Sequence, residues 1–182
     1  SIAHGKYLNF LDDDDLFYAD HIEVLVSAIE GKTEKAVYAF GFETPIEVLS
    51  KSPYKYRVLN YLGTHKQSYN KFMLCHHNYI PIQCIMFEKS LFLNYGCLDE
   101  TLDALEDWDL WVRYSLHTDF LCVPKTTSIY RTPGNREIDA KRQKELDDAL
   151  QVVREKHKTY EQTMSVYEFA RLYEKGVLNN NS

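Results

Sequence analysis

The chain has 182 residues, 45% of them hydrophobic and 26% charged, with a formal net charge of −6. That is enough for one well-packed domain, and the acidic balance with scattered basic residues excludes a nucleic-acid surface as the main partner. No apolar run reaches the length of a membrane span, and the N-terminus has no secretory signal pattern. A cytoplasmic setting follows, at most at the inner face of a membrane, and the four cysteines, lacking any Cys-x-x-Cys pair, read as packed free thiols.

In chain order, Tyr7–Leu11 is an apolar strand that runs straight into four aspartates, Asp12–Asp15. Ile22, Leu25, Val26 and Ile29 mark one face of a helix over Ala19–Glu30, which Gly31 ends. Ala36–Phe42 is a second strand. The polar, aromatic stretch Thr44–Asn78 carries no clear period and is where an acceptor region or lid would sit. Its His76 and His77 point to opposite faces in an extended chain and do not make one metal site. A strand is predicted over Ile82–Phe87, a short helix over Lys89–Tyr95 closed by Gly96, and an amphipathic helix over Asp107–Leu116. Phe120–Val123 and Thr127–Tyr130 are short extended pieces. Pro133-Gly134 then breaks the chain before a long helix over Glu137–Tyr160, whose stripe is Leu146, Leu150, Val153 and His157. A last helix spans Val166–Glu174, and Asn179–Ser182 is a frayed tail. The organisation is a main unit over 1–135 and a helical extension over 136–182.

Two acidic clusters carry the chemistry. Adjacent carboxylates repel by about 4 kcal/mol at the effective dielectric of a protein surface, which favours raised pKa values, splaying into solvent, or a bound cation. In an extended chain Asp12 and Asp14 share one face and Asp13 and Asp15 the other, and an Asp-x-Asp pair can grip a metal. The plainer reading makes Asp15 or Asp20 a helix cap and leaves the others hydrated. The second cluster, Glu106-Asp107-Trp108-Asp109, opens a helix. There acidic residues complement the macrodipole and Asp109 can pair with Arg113, while Asp107 first and Asp109 second are candidates for a general base.

Three ordered blocks resemble family 2 glycosyltransferases: Ala3–Asp15, Ile80–Phe87, and Tyr95–Leu102 followed by Glu106–Arg113. The resemblance implies an α/β architecture, a partial GT-A fold with a mixed, mostly parallel sheet flanked by helices and followed by C-terminal helices. It implies an inverting transfer of a sugar from a nucleotide-diphosphate sugar to an acceptor hydroxyl on a glycan or lipid-linked glycan, in cell-surface polysaccharide or glycoconjugate synthesis. It puts Mg²⁺ or Mn²⁺ at Asp14 and Asp12, the donor at Asp12 and Asp13, the catalytic base at Asp107 beside Glu106, and Trp108 with Tyr130 and Arg131 near acceptor or diphosphate. Cys97-Leu98 departs from the Gly-Phe more usual in the family. Family members also carry a nucleotide-binding strand and helix unit ahead of the segment matching Ser1. The expectation is therefore a C-terminal portion of the catalytic domain, weakly active or inactive alone, with an exposed first strand that favours a homodimer. A sugar-binding module without turnover and an interaction domain with structural acidic clusters are the alternatives.

Overall fold

The computed structural model describes residues 3–134 and 136–174. The tail expected to fray at Asn179–Ser182 lies outside the described residues. Seven strands form one sheet in the order β1 (Tyr7–Asn9), β6 (Ile85–Glu88), β3 (Ala36–Lys51), β7 (Phe120–Pro133) and β2 (Leu16–Phe17), with β4 (Tyr54–Val58) and β5 (Gly63–His65) added along β3. The helices are α1 (His21–Ile29), α2 (Lys71–His76), α3 (Lys89–Tyr95), α4 (Glu106–Ser115), α5 (Arg136–His157) and α6 (Val166–Glu174). Among the described residues no helix is long and apolar enough to cross a membrane.

The mixed sheet is as expected, but it is not mostly parallel. Only β3 and β7 run parallel, with every other pairing antiparallel. Parallel neighbours need a long crossover, and among the described residues only the segment carrying α2, α3 and α4 provides one.

Sheet and helices meet in two layers of core. Tyr38, Ile85, Phe87, Leu110, Trp111 and Tyr114 pack together on one face, and Leu25, Ile29, Val37, Ala39 and Met86 on the other. The alternation of Val37 and Ala39 against Ala36 and Tyr38 distributes β3 between the two faces, as the period of a strand requires. On α1 the buried residues are His21, Leu25 and Ile29, whereas Ile22 is exposed. On α5, Val153 joins the larger core and Leu150 packs against it, so the helix is fixed to the sheet unit.

β3 extends beyond the predicted Phe42. Its first part pairs with β6, its middle with β5, and its last part with β4 in a hairpin, while β7 follows its other edge from Ala36 to Ile46. The two short pieces predicted near residues 120–130 are one strand, β7. Register shifts opposite Ala39, Phe40 and Gly41 take up Pro124, Lys125 and Thr127 as bulges.

Candidate active site

The acidic block lies where the chain leaves β1 at one edge of the sheet and crosses to β2 at the other. The extended conformation does not persist through it. A turn closed by Asp15 N–H donating to the Asp12 carbonyl (3.2 Å) folds the four residues back. Alternation therefore fails: Asp12, Asp14 and Asp15 each place one carboxylate oxygen within 4.8 Å of the others. Asp15, assigned from the sequence to the opposite face or to a helix cap, belongs to the cluster, and Asp13 does not. Asp20 holds the N-cap position of α1, but its carboxylate pairs with Lys125 and makes no cap hydrogen bond.

Asp15 is buried. One of its oxygens accepts the Arg131 backbone N–H (2.8 Å), and the other has no hydrogen-bond partner among the described residues. Burial is the main reason its carboxyl is pushed up to about 6, with the Asp14 and Asp12 charges adding to the rise. Burial likewise raises Asp12, helped by Asp14 and by Glu106 from the second cluster. Three carboxylates without a thiolate or imidazole among them form a set of hard oxygen donors, suited to Mg²⁺ or Mn²⁺ rather than to zinc. The orphaned, desolvated oxygen of Asp15 fits such a cation.

Arg131 lines the same cavity as Asp14 but is largely taken up by contacts within the protein. It is buried, donates through Nε to the Asp14 carbonyl, and lays its guanidinium over the rings of Tyr56 (4.8 Å) and Tyr54 (5.9 Å). Its role is to hold the aspartate turn against β7. Trp108 is also relocated: its ring is 1% exposed in the core, and its indole N–H donates to the Leu74 carbonyl.

The second cluster opens α4. Leu105, just before it, has φ 60°, a left-handed backbone that costs a non-glycine residue about 1–2 kcal/mol. Such strain at a helix entry fixes the direction in which Glu106 and Asp107 leave the chain. Asp107 is half-buried. Its Oδ2 accepts from Asn78 Nδ2 (3.0 Å) and its Oδ1 from the Trp108 backbone N–H (2.7 Å), while Asn78 is itself anchored by accepting from Ile80 N–H (3.2 Å). Desolvation pushes the Asp107 carboxyl up to about 6; the Glu106 charge adds to this, and the Asn78 bond opposes it. Asp109, the second candidate for a base, is fully buried and spent on Arg113 (2.9 Å), Lys156 (2.9 Å) and His157 (2.9 Å).

Both clusters open on one cleft of about 1030 Å³, whose lining includes Asp12, Glu106, Asp107, Asn78 and, from α5, Arg142. Its far wall carries Glu43, bonded to His65 (3.0 Å), and Tyr130, bonded by Arg142. Asp14 faces a neighbouring cavity of about 660 Å³ that shares Leu59, Thr132, Pro133 and Gly134 with the cleft. Of this far wall the sequence reading names Tyr130 but not Glu43 or His65, and it does not place Asp15 or Asn78 in the site. An Asn three residues before a proline, such as Asn78 ahead of Pro81, carries no signal of its own. His77, by contrast, is an ordinary polar residue bonded to Gln67 (3.0 Å).

Residues 1–86 match the sequence model of the family described as Glycosyl transferase family 2. This stretch is similar to family 2 glycosyltransferases. An uncharacterized glycosyltransferase of Rickettsia prowazekii is 29% identical over 60% of this chain and 34% of its own length. Another, of Rickettsia bellii, is 25% identical over 75% of this chain and 20% of its own. The chain thus spans about a third or less of the length of these curated relatives. The family match covers the aspartate turn and stops short of Glu106-Asp107, so the pairing of the two acidic clusters rests on geometry.

Proposed function

We propose that this chain carries the metal and base side of an inverting glycosyltransferase site, acting on a nucleotide-diphosphate sugar and an acceptor hydroxyl of a glycan or glycoconjugate. The observation that carries the reading is the shared cleft, where Asp12 of the aspartate turn and Asp107 at the head of α4 line one cavity.

Asp12, Asp14 and Asp15 would hold Mg²⁺ or Mn²⁺. A divalent cation bound there supplies positive charge against the charge that develops on a departing diphosphate. Asp107 accepts the acceptor hydroxyl proton as that oxygen attacks the anomeric carbon from the face opposite the diphosphate; the new C–O bond forms as the bond to the diphosphate breaks. A carboxyl pushed up to about 6 is ionised at neutral pH and still basic enough to take a proton in the transition state. Asn78 holds one Asp107 oxygen by its amide, which fixes the orientation of the base. Closure of the turn by Arg131 keeps the metal-binding carboxylates converged before any ligand arrives.

Titration calorimetry with UDP-sugars tests the reading directly. Binding in the presence of Mn²⁺ is expected to be lost with EDTA and in Asp14→Asn. Equal binding with and without the metal would overturn the assignment of the aspartate turn.

A further inference from the structure

The β3–β4 hairpin and the loop after it differ in chemistry from the rest of this acidic chain. Every residue from 51 to 63 is exposed. Within and beside that stretch Val48, Leu49, Tyr54, Tyr56, Val58, Leu59, Tyr61 and Leu62 keep between 38% and 67% of their surface in solvent. A run of exposed apolar side chains of this kind marks a candidate interaction site.

The charges identify the occupant. Lys51, Lys55 and Arg57 project from the same segment, and no acidic residue occurs between Val48 and Gly63 in a chain of net charge −6. Of the carboxylates beside it, Glu47 is neutralised by Arg57 across the hairpin and Glu43 is bonded to His65, while Asp14 lines the adjoining cavity with Val48 and Tyr54. Helix α6 also exposes apolar side chains, Val166, Tyr167, Phe169 and Tyr173, but it intersperses them with Glu168 and Glu174. Its charges do not select a partner of one sign.

We propose that the β3–β4 hairpin docks the protein on an anionic lipid surface. Leu49, Tyr54 and Tyr61 enter the headgroup and upper acyl region, where amphipathic tyrosine rings are favoured, while Lys51 and Lys55 pair with lipid phosphates. Arg131 underlies Tyr54 and Tyr56 from the protein side and stiffens that face of the hairpin. The surface adjoins the cleft, since Leu59 and Leu62 line it and Thr44 Oγ donates to the Asn60 carbonyl at its rim. Resting on the glycosyl-transfer reading, this location would present a lipid-linked acceptor to Asp107. The docking itself needs no donor, metal or turnover.

Co-sedimentation of the full chain with vesicles of phosphatidylcholine, with and without phosphatidylglycerol, tests it. Binding is expected only to the anionic vesicles, weakening as salt rises. Each of Lys51→Gln and Lys55→Gln should weaken it roughly fivefold, the equivalent of about 1 kcal/mol per surface cation. Leu49→Ser should weaken it further; all three sites are exposed and outside the cleft, so unchanged circular dichroism is expected. Absence of binding, equal binding to neutral vesicles, or full binding by the variants would overturn the proposal. So would a dimer, found by light scattering, that hides the hairpin and leaves vesicles unbound. Because vesicle binding is read without a sugar nucleotide, its failure leaves the transferase reading standing, and the converse also holds.

Discussion

Asp107 is held in an environment that works against its own ionisation. Its carboxyl is desolvated, lies beside Glu106, and is pushed up to about 6. In the unfolded chain it ionises near the ordinary value of 3.8, so between about 4 and 6 the folded state holds a proton that the unfolded state has released. Stability falls as pH rises through that window, and the loss persists at neutral pH. Replacement by Asn removes the penalty while keeping an oxygen for the Asn78 bond. Asp107→Asn is therefore expected to raise stability at pH 7 by about 1–2 kcal/mol, read as a higher urea midpoint, while lowering turnover by about 10²–10⁴-fold. A purely structural residue would not give that opposite pair of effects. For the unaltered protein, kcat/KM is expected to fall as pH drops through about 6, where the base becomes protonated; a rate that stays flat down to pH 5 would remove Asp107 from the role. The Glu-Asp pair at a helix start made this residue a candidate, and the family resemblance singled it out as the expected base. Its tuning was not legible, because Asn78 and the left-handed Leu105 act through tertiary placement and backbone angle. Asp15 was hidden for a related reason: alternation assumes an extended chain, and the turn at Asp12–Asp15 cancels it.

Between elements, the contact that most constrains the site joins α4 to the end of α5. Asp109 has no solvent exposure, and although burial alone would raise its carboxyl, bonds from His157, Lys156 and Arg113 hold it near 2. The depressed value gives stability that is fully present above about 4 and is lost as pH falls towards 2. Asp109→Ala strands Arg113, Lys156 and His157 without their shared anion. We expect a loss of about 2–4 kcal/mol in urea unfolding, somewhat below the usual range of about 3–5, because Lys156 is partly solvated and keeps Asp99 (2.6 Å). A loss within 0.5 kcal/mol, the level typical of surface substitutions, would show the network to be dispensable. Most of the helices were readable: Lys89–Tyr95 and Val166–Glu174 fall where periodicity and Gly96 place them, whereas α2 lies in the stretch that carries no clear period. The strands were harder. Pro45 inside β3 and Pro124 inside β7 are signals that normally end a strand. Here a hydrogen bond from Leu59 N–H to the Pro45 carbonyl and the bulges of β7 keep the ladder continuous through both.

At the scale of the molecule, the question is whether residues after 135 are an appendage, as the division into a main unit and a helical extension implies, or part of what keeps the site assembled. α5 supplies Val153 to the core shared by Trp108, Trp111 and Phe87, places Arg142 and Leu146 on the cleft, and brings Lys156 and His157 to Asp109. Removing it would expose the surface around Val153, at a cost of about 1.5–3 kcal/mol, and would leave Asp109 buried with Arg113 alone, at about 3 kcal/mol more. Those two losses together match much of the 5–15 kcal/mol by which domains are ordinarily stable. A chain ending at Gly134 is thus expected to lose its cooperative urea transition and near-UV circular dichroism while retaining some far-UV signal. Restoring α5 as a separate peptide should return the transition only if the peptide keeps Lys156 and His157. If the shortened chain unfolds cooperatively at the midpoint of the full chain, the α4–α5 contact contributes nothing to the fold, and the helical segment is an independent extension.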